Sequence, residues 1–230
     1  MCGRYSLITP TEALRQLMQF VDLLNLEPRY NLAPTQMAPV VRLDADGRTR
    51  RLSLLRWGLI PSWAKDAKIG AQCINARSDG VAEKPAFRSA VRRRRCLVPA
   101  DGWYEWKPQG KSKQAYRIVL RSGGPLAFAG IWESWNSPEG TTVESYAVVT
   151  TDASPDITDI HHRQPVVLEP EQYALWLEPG EQRLKEQLAL LQPSRPGLLS
   201  GFPISSRVNS VKNDDADCIK PAEPAHPMLF

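Results

Sequence analysis

The sequence predicts an α+β fold: a single domain with a barrel-like, mostly antiparallel β core and peripheral helices. Two observations predict it. Short apolar or alternating segments follow one another at close spacing through the chain, separated by Gly-rich or polar turns, and helical patterns are few. No internal repeat and no linker divides the 230 residues, a length that can bury one substantial core. Many short strands with few helices pack as one domain around a strongly bent sheet or barrel.

The elements follow in order. Thr9, Pro10 and Glu12 read as a capping box, with Thr9 at the N-cap, Pro10 at N1 and Glu12 at N3. Leu14, Leu17 and Met18 then form an apolar helical stripe. Residues 37–59, "MAPVVRLDADGRTRRLSLLRWGL", read as two strands joined by a turn at Asp46-Gly47. "PAFRSAVRRRR" is a short helix starting at Pro85. "CLVPADGWYEWK", "QAYRIVLR", "LAFAGIW" and "ESYAVVTT" read as strands, and "EPEQYALWL" and "EQRLKEQLALL" as helices. "FPISSRVNSV" reads as a last strand. The domain is expected to span 1–220, and the Pro-rich stretch 221–230 to be a loosely ordered tail.

Composition narrows the function classes. The hydrophobic fraction is 42% and the charged fraction 23%, as in ordinary soluble globular proteins. No apolar run approaches the ~18 residues of a membrane span, and no signal peptide is visible, so a cytoplasmic location is expected for a bacterial chain. Cys2, Cys73, Cys96 and Cys218 form no CxxC pair, and none of the three histidines shares a zinc-type spacing with a cysteine. A reduced protein without metal, cofactor or membrane partner is expected, acting as a monomer. The net charge of +4 is compatible with a polyanionic partner. In "VRRRRC", Arg92 to Arg95 read equally well as a solvated helix end whose cations complement the dipole and as a phosphate-contacting patch.

The chain opens "MCGRYSLI". A small residue at position 2 permits removal of Met1, which would leave Cys2 with a free α-amine and a thiol. Their ordinary pKa values, about 7.7–8.0 and about 8.5, leave both partly nucleophilic near neutral pH. Such an aminothiol condenses with an aldehyde to an imine and then a thiazolidine. On these eight residues alone, Cys2 reads first as a small apolar residue on a first strand. Asn75, between Ile74 and Ala76, is either a turn-fixing amide or a site residue. Glu105 sits in "GWYEWK". In aromatic surroundings its pKa would rise toward that of a general acid, whereas period-2 alternation would turn Tyr104 and Trp106 inward and Glu105 to water, on the face of Trp103. His161, on a loop before Pro165, could shuttle protons. Trp63, in a turn, could stack on an unpaired base or pack on its own domain. Arg4, Arg77 and Arg163 each lie within two residues of Cys2, Asn75 and His161, as guanidinium groups around a phosphate-bearing substrate would.

"MCGRY", "YNLAP" (30–34), "WGLIPSW" (57–63), "INAR" (74–77), "RCLVPADGWYEW" (95–106), "TTDAS" (150–154), "IHHRQP" (160–165) and "VNSVKND" (208–214) occur in this order over nearly the whole chain. Together they resemble the SOS response-associated peptidase family, the abasic-site processing proteins. The resemblance implies a single α+β domain with a barrel-like core and a positively charged groove for single-stranded DNA. It implies that Cys2, after autocatalytic loss of Met1, forms a thiazolidine with the ring-opened aldehyde of an abasic site, shielding it. It implies that Asn75 lies beside that linkage and that Glu105 and His161 assist ring opening and proton transfer. Arg4, Trp63, Arg77 and Arg163 become candidate DNA contacts, and a companion lyase activity and association with the nucleoid on damaged DNA follow. The motif spacing to Arg163 and Pro165 selects His161 over His162. Ala64, Gln164 and Asp79 depart from the residues frequent in relatives, and Ala64 implies weaker base stacking. Two other classes remain open at this stage. One is a cysteine peptidase using a Cys2–His161 dyad on protein substrates. The other is a non-catalytic single-stranded DNA-binding module.

Overall fold

The computed structural model describes residues 2–222. Its core is built from the predicted hairpin. Strands β1 (Tyr5–Leu7), β2 (Arg29–Leu32), β3 (Met37–Leu43) and β4 (Arg50–Trp57) begin the chain, and β3 and β4 pair antiparallel from Met37↔Arg56 to Leu43↔Arg50. The Asp46 carboxylate forms the turn between β3 and β4 by accepting from the Arg48 and Thr49 amides and the Thr49 hydroxyl. After β5 (Asn75–Arg77) come β6 (Arg95–Ala100), β7 (Gly102–Gln109), β8 (Ser112–Leu120), β9 (Leu126–Asn136) and β10 (Thr142–Asp152). The last strands are β11 (Arg163–Pro165), β12 (Val167–Leu168) and β13 (Leu199–Pro203).

Strands β4, β3, β6, β9 and β10 close into a barrel, because β10 pairs with β9 on one side and with β4 on the other. The β10–β4 and β10–β5 pairs are parallel and the others antiparallel. A second sheet, in the order β13-β8-β7-β1-β2, lies against this barrel. Its inner face contributes Tyr5, Trp103 and Ile118 to the main core with Trp57, Phe128 and Tyr146, all fully buried. Its outer face is covered too, by a smaller cluster of Tyr104, Ala115, Ile204, Val208 and Cys218. Helices α1 (Thr11–Met18), α2 (Arg88–Arg93), α3 (Tyr173–Leu177) and α4 (Leu184–Ala189) sit at the periphery. Among the described residues no helix is long and apolar enough to cross a membrane.

Several local expectations are corrected. The capping box does not form. Pro10 is the N-cap of α1, and the Thr9 amide and hydroxyl instead donate to Asp101. A buried carboxylate from the distant break between β6 and β7 thus outcompetes the local cap. The helix expected from Pro85 starts at Arg88, after a run of turns. "CLVPADGWYEWK" is not one strand: the chain breaks at Asp101, and β6 joins the barrel while β7 joins the second sheet. The last strand ends at Pro203 and gives way to a 3₁₀ turn, Ser206–Asn209. Of the predicted tail, Pro221 bridges to Ile204, and residues 223–230 lie outside the described residues.

The arginine run divides by direction. Arg92 and Arg93 point outward and share Glu181. Arg94 turns in to the buried Glu133 at 2.7 Å. Arg95 is itself buried and donates to the carbonyls of Val91 (2.7 Å), Trp176 (2.8 Å), Gly180 (3.1 Å) and Glu178. It therefore joins the Val91 carbonyl of α2 to carbonyls at and just after the end of α3, as a buried cation and not as part of a solvated helix end.

Candidate active site

The site lies where the second sheet meets the barrel. The Tyr104 amide donates to the Arg4 carbonyl at 3.0 Å, which carries the β1–β7 pairing past Tyr5 toward the N-terminus. From the barrel side, Asn75 on β5 donates its Nδ2 to the Cys2 carbonyl at 2.8 Å. Cys2 is therefore held from both layers. It is fully buried, and burial, then the nearby Glu105 carboxylate, pushes its thiol pKa up. Beneath it, the Tyr5 and Tyr146 hydroxyls share a buried 2.7 Å hydrogen bond and Trp57 packs edge-on to Tyr5 at 5.1 Å. The Asn75 Oδ1 is buried and has no hydrogen-bond donor among the described residues.

Glu105 is 2% exposed on β7, facing the barrel as Trp103 does. The alternation reading, which would put Glu105 in water, fails because both faces of this sheet are covered. Burial pushes the Glu105 carboxyl up to about 7. His161 reaches it from the loop before β11, with Nε2 3.8 Å from Glu105 Oε2. The Arg163 amide donates to His161 Nδ1 at 3.0 Å. Nδ1 also lies 3.1 Å from the Arg163 carbonyl oxygen, so the Arg163 backbone anchors the ring through Nδ1 and leaves Nε2 facing Glu105. Burial is the leading cause that lowers the His161 pKa to about 4, so the ring is neutral at physiological pH. His162 is exposed and stacks on His161 at 4.4 Å. Burial and the contact with Glu105 belong to His161.

Cys2, Asn75, Glu105 and His161 are thus brought together from sequence-distant positions. The four arginine and tryptophan candidates are placed differently. Trp63 is 58% exposed on the loop after β4, with its indole N–H on the Pro85 carbonyl at 3.3 Å. That loop is shaped by Gly58, at φ +119°, and Gly70, which approach so closely that a Cβ on Gly58 would lie 2.6 Å from the Gly70 carbonyl oxygen. Arg77 is exposed, two residues along β5 from Asn75, in a bidentate pair with Asp79 at 2.7 and 3.0 Å. Arg4 is turned to the outer cluster, donating to Asn31 Oδ1 and the Val208 carbonyl, both at 2.9 Å. Arg163 is 5% exposed, on Asp152 at 2.9 Å and the Thr150 carbonyl at 2.7 Å.

Two residues given no role by the sequence reading tie the site to the C-terminal segment. The buried Asn31 amide donates to the carbonyls of Val208 (3.2 Å), Ser210 (3.0 Å) and Asn213 (2.8 Å). Asp214 accepts from Arg29 and from the Tyr30 and Asn31 amides. The signal was present in "YNLAP" and "VNSVKND", two polar motifs whose mutual contact no local pattern reveals. Among the described residues there is no group of three or more His, Cys, Asp or Glu side chains that could hold a metal ion.

Residues 1–211 match the sequence pattern of the family described as SOS response associated peptidase. The chain is similar to the abasic site processing protein YoqW of Bacillus subtilis, with 40% identity over 224 residues that cover 96% of this chain and 99% of the relative. It is also similar to the abasic site processing protein HMCES of Gallus gallus, 32% identical over 265 residues, covering 97% of this chain and 78% of the relative. Its fold is shared by a crystal structure of a Bacteroides thetaiotaomicron protein, at a TM-score of 0.85 and 24% identity over 96% of this chain and all of that one. A phage-related protein from Bordetella bronchiseptica matches at a TM-score of 0.70 and 29% identity, over 88% of this chain and 94% of the other.

Proposed function

This chain belongs to the SOS response-associated peptidase family, and on that premise we propose that it processes abasic sites in single-stranded DNA by crosslinking to them through Cys2. The single observation that carries the reading is the Asn75–Cys2 hydrogen bond, which sets the N-terminal aminothiol beside Glu105 and His161. Hydrolysis of the Met1–Cys2 bond consumes one water, releases methionine and uncovers the Cys2 amine. An abasic sugar is mostly a closed hemiacetal, so opening it needs a proton donor. Glu105, half protonated near neutral pH, suits that role, with neutral His161 as its partner. The amine then condenses with the aldehyde carbon and water leaves. The sulfur adds to the imine carbon, its proton passes to the nitrogen, and the ring closes. Asn75 Oδ1, which has no donor among the described residues, accepts from that nitrogen in this reading.

Ring closure also decides the fate of the strand. An imine acidifies the neighbouring C–H and permits β-elimination, which is the companion lyase reaction. Trapping as a thiazolidine diverts it. The exposed Trp63 ring offers a stacking surface, and Arg77 with the adjoining Arg163 offers phosphate contacts, while Arg4 holds the frame that carries Cys2.

The test mixes purified protein with an abasic single-stranded oligonucleotide and resolves the products on a denaturing gel. The expected product is a denaturant-resistant adduct whose mass is protein without Met1 plus oligonucleotide minus one water. A Cys2→Ala variant that still forms a heat-stable adduct without reductant overturns the assignment.

A further inference from the structure

We infer that Asp79 and Asp152 are specificity-determining residues, carboxylates that occupy Arg77 and Arg163 in place of DNA phosphates and so weaken retention on undamaged strands. The inference rests on the DNA-binding reading above. It starts from a chain of four alternating charges at one end of β10. Arg77 is bidentate on Asp79 at 2.7 and 3.0 Å, Asp79 Oδ1 lies 3.9 Å from Arg163 Nη2, and Arg163 Nη1 lies 2.9 Å from Asp152 Oδ1. The strand order makes this chain. Thr150 of β10 pairs with Arg77 of β5 on one side and with Pro165 of β11 on the other, and Asp152 pairs with Arg163. The four side chains sum to zero charge, beside Asn75 and His161, where a bound strand would run.

Both carboxylates are placed to compete. A guanidinium binds carboxylate and phosphate through the same fork of donors, so a phosphate at Arg77 must displace Asp79. Asp79 and Asp152 are 58% and 82% exposed, and exposed ion pairs are weak enough to be displaced. Arg163 is nearly buried, and its Nε has no hydrogen-bond acceptor among the described residues, so the carboxylates do not saturate its donors. Non-covalent binding is therefore taxed equally on every single strand. Only an abasic site repays the tax, through the covalent bond at Cys2.

The competition leaves a signature in salt dependence. Each phosphate contact on a single strand contributes about 0.7 to the log–log salt slope through counterion release. A displaced carboxylate takes a cation back, which makes the wild-type slope shallower than its number of phosphate contacts. Affinity for an undamaged oligonucleotide, measured by fluorescence anisotropy over a salt series, tests this. Asp79→Asn and Asp152→Asn should each bind several-fold tighter than wild type at low salt, with a slope steeper by up to about 0.7. Asp79→Glu, which keeps the charge, should match wild type. Glu139→Gln makes the same charge change in the exposed turn at the far end of β10 and should also leave affinity near wild type. Affinities and slopes unchanged in both asparagine variants overturn the inference, as does an equal gain in Glu139→Gln, which would make the effect one of net charge. Wild-type protein that shows no salt-dependent binding at all removes the DNA-binding reading itself, and the inference falls with it.

Discussion

At Glu105, burial sets chemistry and stability against each other. The folded carboxyl titrates near 7 and the unfolded one at its ordinary value of 4.5, so the folded state holds the proton between those two pH values. Stability is therefore fully present below about 4.5 and declines as pH rises through 7. Glu105→Gln should raise the melting temperature relative to wild type above pH 7 and lose that advantage below pH 4.5, as a pH series of thermal melts would show. The same variant cannot exchange a proton and should crosslink on the order of 10²-fold more slowly. The wild-type rate should pass through a maximum near neutral pH, rising with deprotonation of the α-amine and falling as Glu105 ionises, whereas Glu105→Gln should rise to a plateau. His161→Ala should be slowed like Glu105→Gln, and His162→Ala much less. Single-turnover gels read both, and a larger loss at His162 would move the role by one residue. Cys2→Ala keeps an amine and should give an imine that borohydride traps, with strand cleavage equal to or above wild type.

Elements place these residues through contacts that lie two positions away from them. Lys107, two residues after Glu105, pairs at 2.9 Å with Asp159, two residues before His161. This exposed bridge ties β7 to the loop before β11, and loss of such a pair costs little stability. Lys107→Glu should slow crosslinking a few-fold with an unchanged melting temperature, and the double swap with Asp159→Lys should recover the rate. The C-terminal clasp is the heavier tether. Asn31→Ala removes three hydrogen bonds to the 208–214 segment, of whose carbonyls Val208 keeps Arg4 and Ser210 keeps the Asn213 amide, and a lost hydrogen bond costs about 0.5–1.5 kcal/mol. The variant should lose at least that much in chemical denaturation and become sensitive to proteolysis within 208–214. The paired strands 37–43 and 50–57 and their Asp46-Gly47 turn were readable because their signals are local. The cap of α1 was misread because Asp101, about ninety positions away, claims Thr9.

Over the whole molecule, charge is distributed by function of position rather than by sequence clustering. Arg92 and Arg93 share Glu181 and Arg95 is buried, whereas Arg77 lies two residues from Asn75 on β5, so Arg77 is the expected anchor for DNA. Arg77→Ala should therefore weaken binding to single strands more than Arg92→Ala or Arg93→Ala, and affinity should fall steeply with salt and vary little with base sequence. A filter-binding salt series on these variants reads both. Arg95→Ala should instead unfold more easily, because the carbonyls of Val91, Trp176 and Gly180 lose the guanidinium and Glu178 is left with Gln187. The sequence by itself determined the fold class, most strands, the family and the four residues Cys2, Asn75, Glu105 and His161 as candidates, since period-2 patterns, turns and ordered motifs are written in neighbouring residues. Only the tertiary structure decided that β10 closes the barrel, that both faces of the second sheet are buried, and hence that Glu105 is dry, His161 faces it and Arg163 is occupied. Burial and partner choice depend on which distant strands come to lie side by side, and that is a property of the closed sheet, which no local stretch of chain encodes.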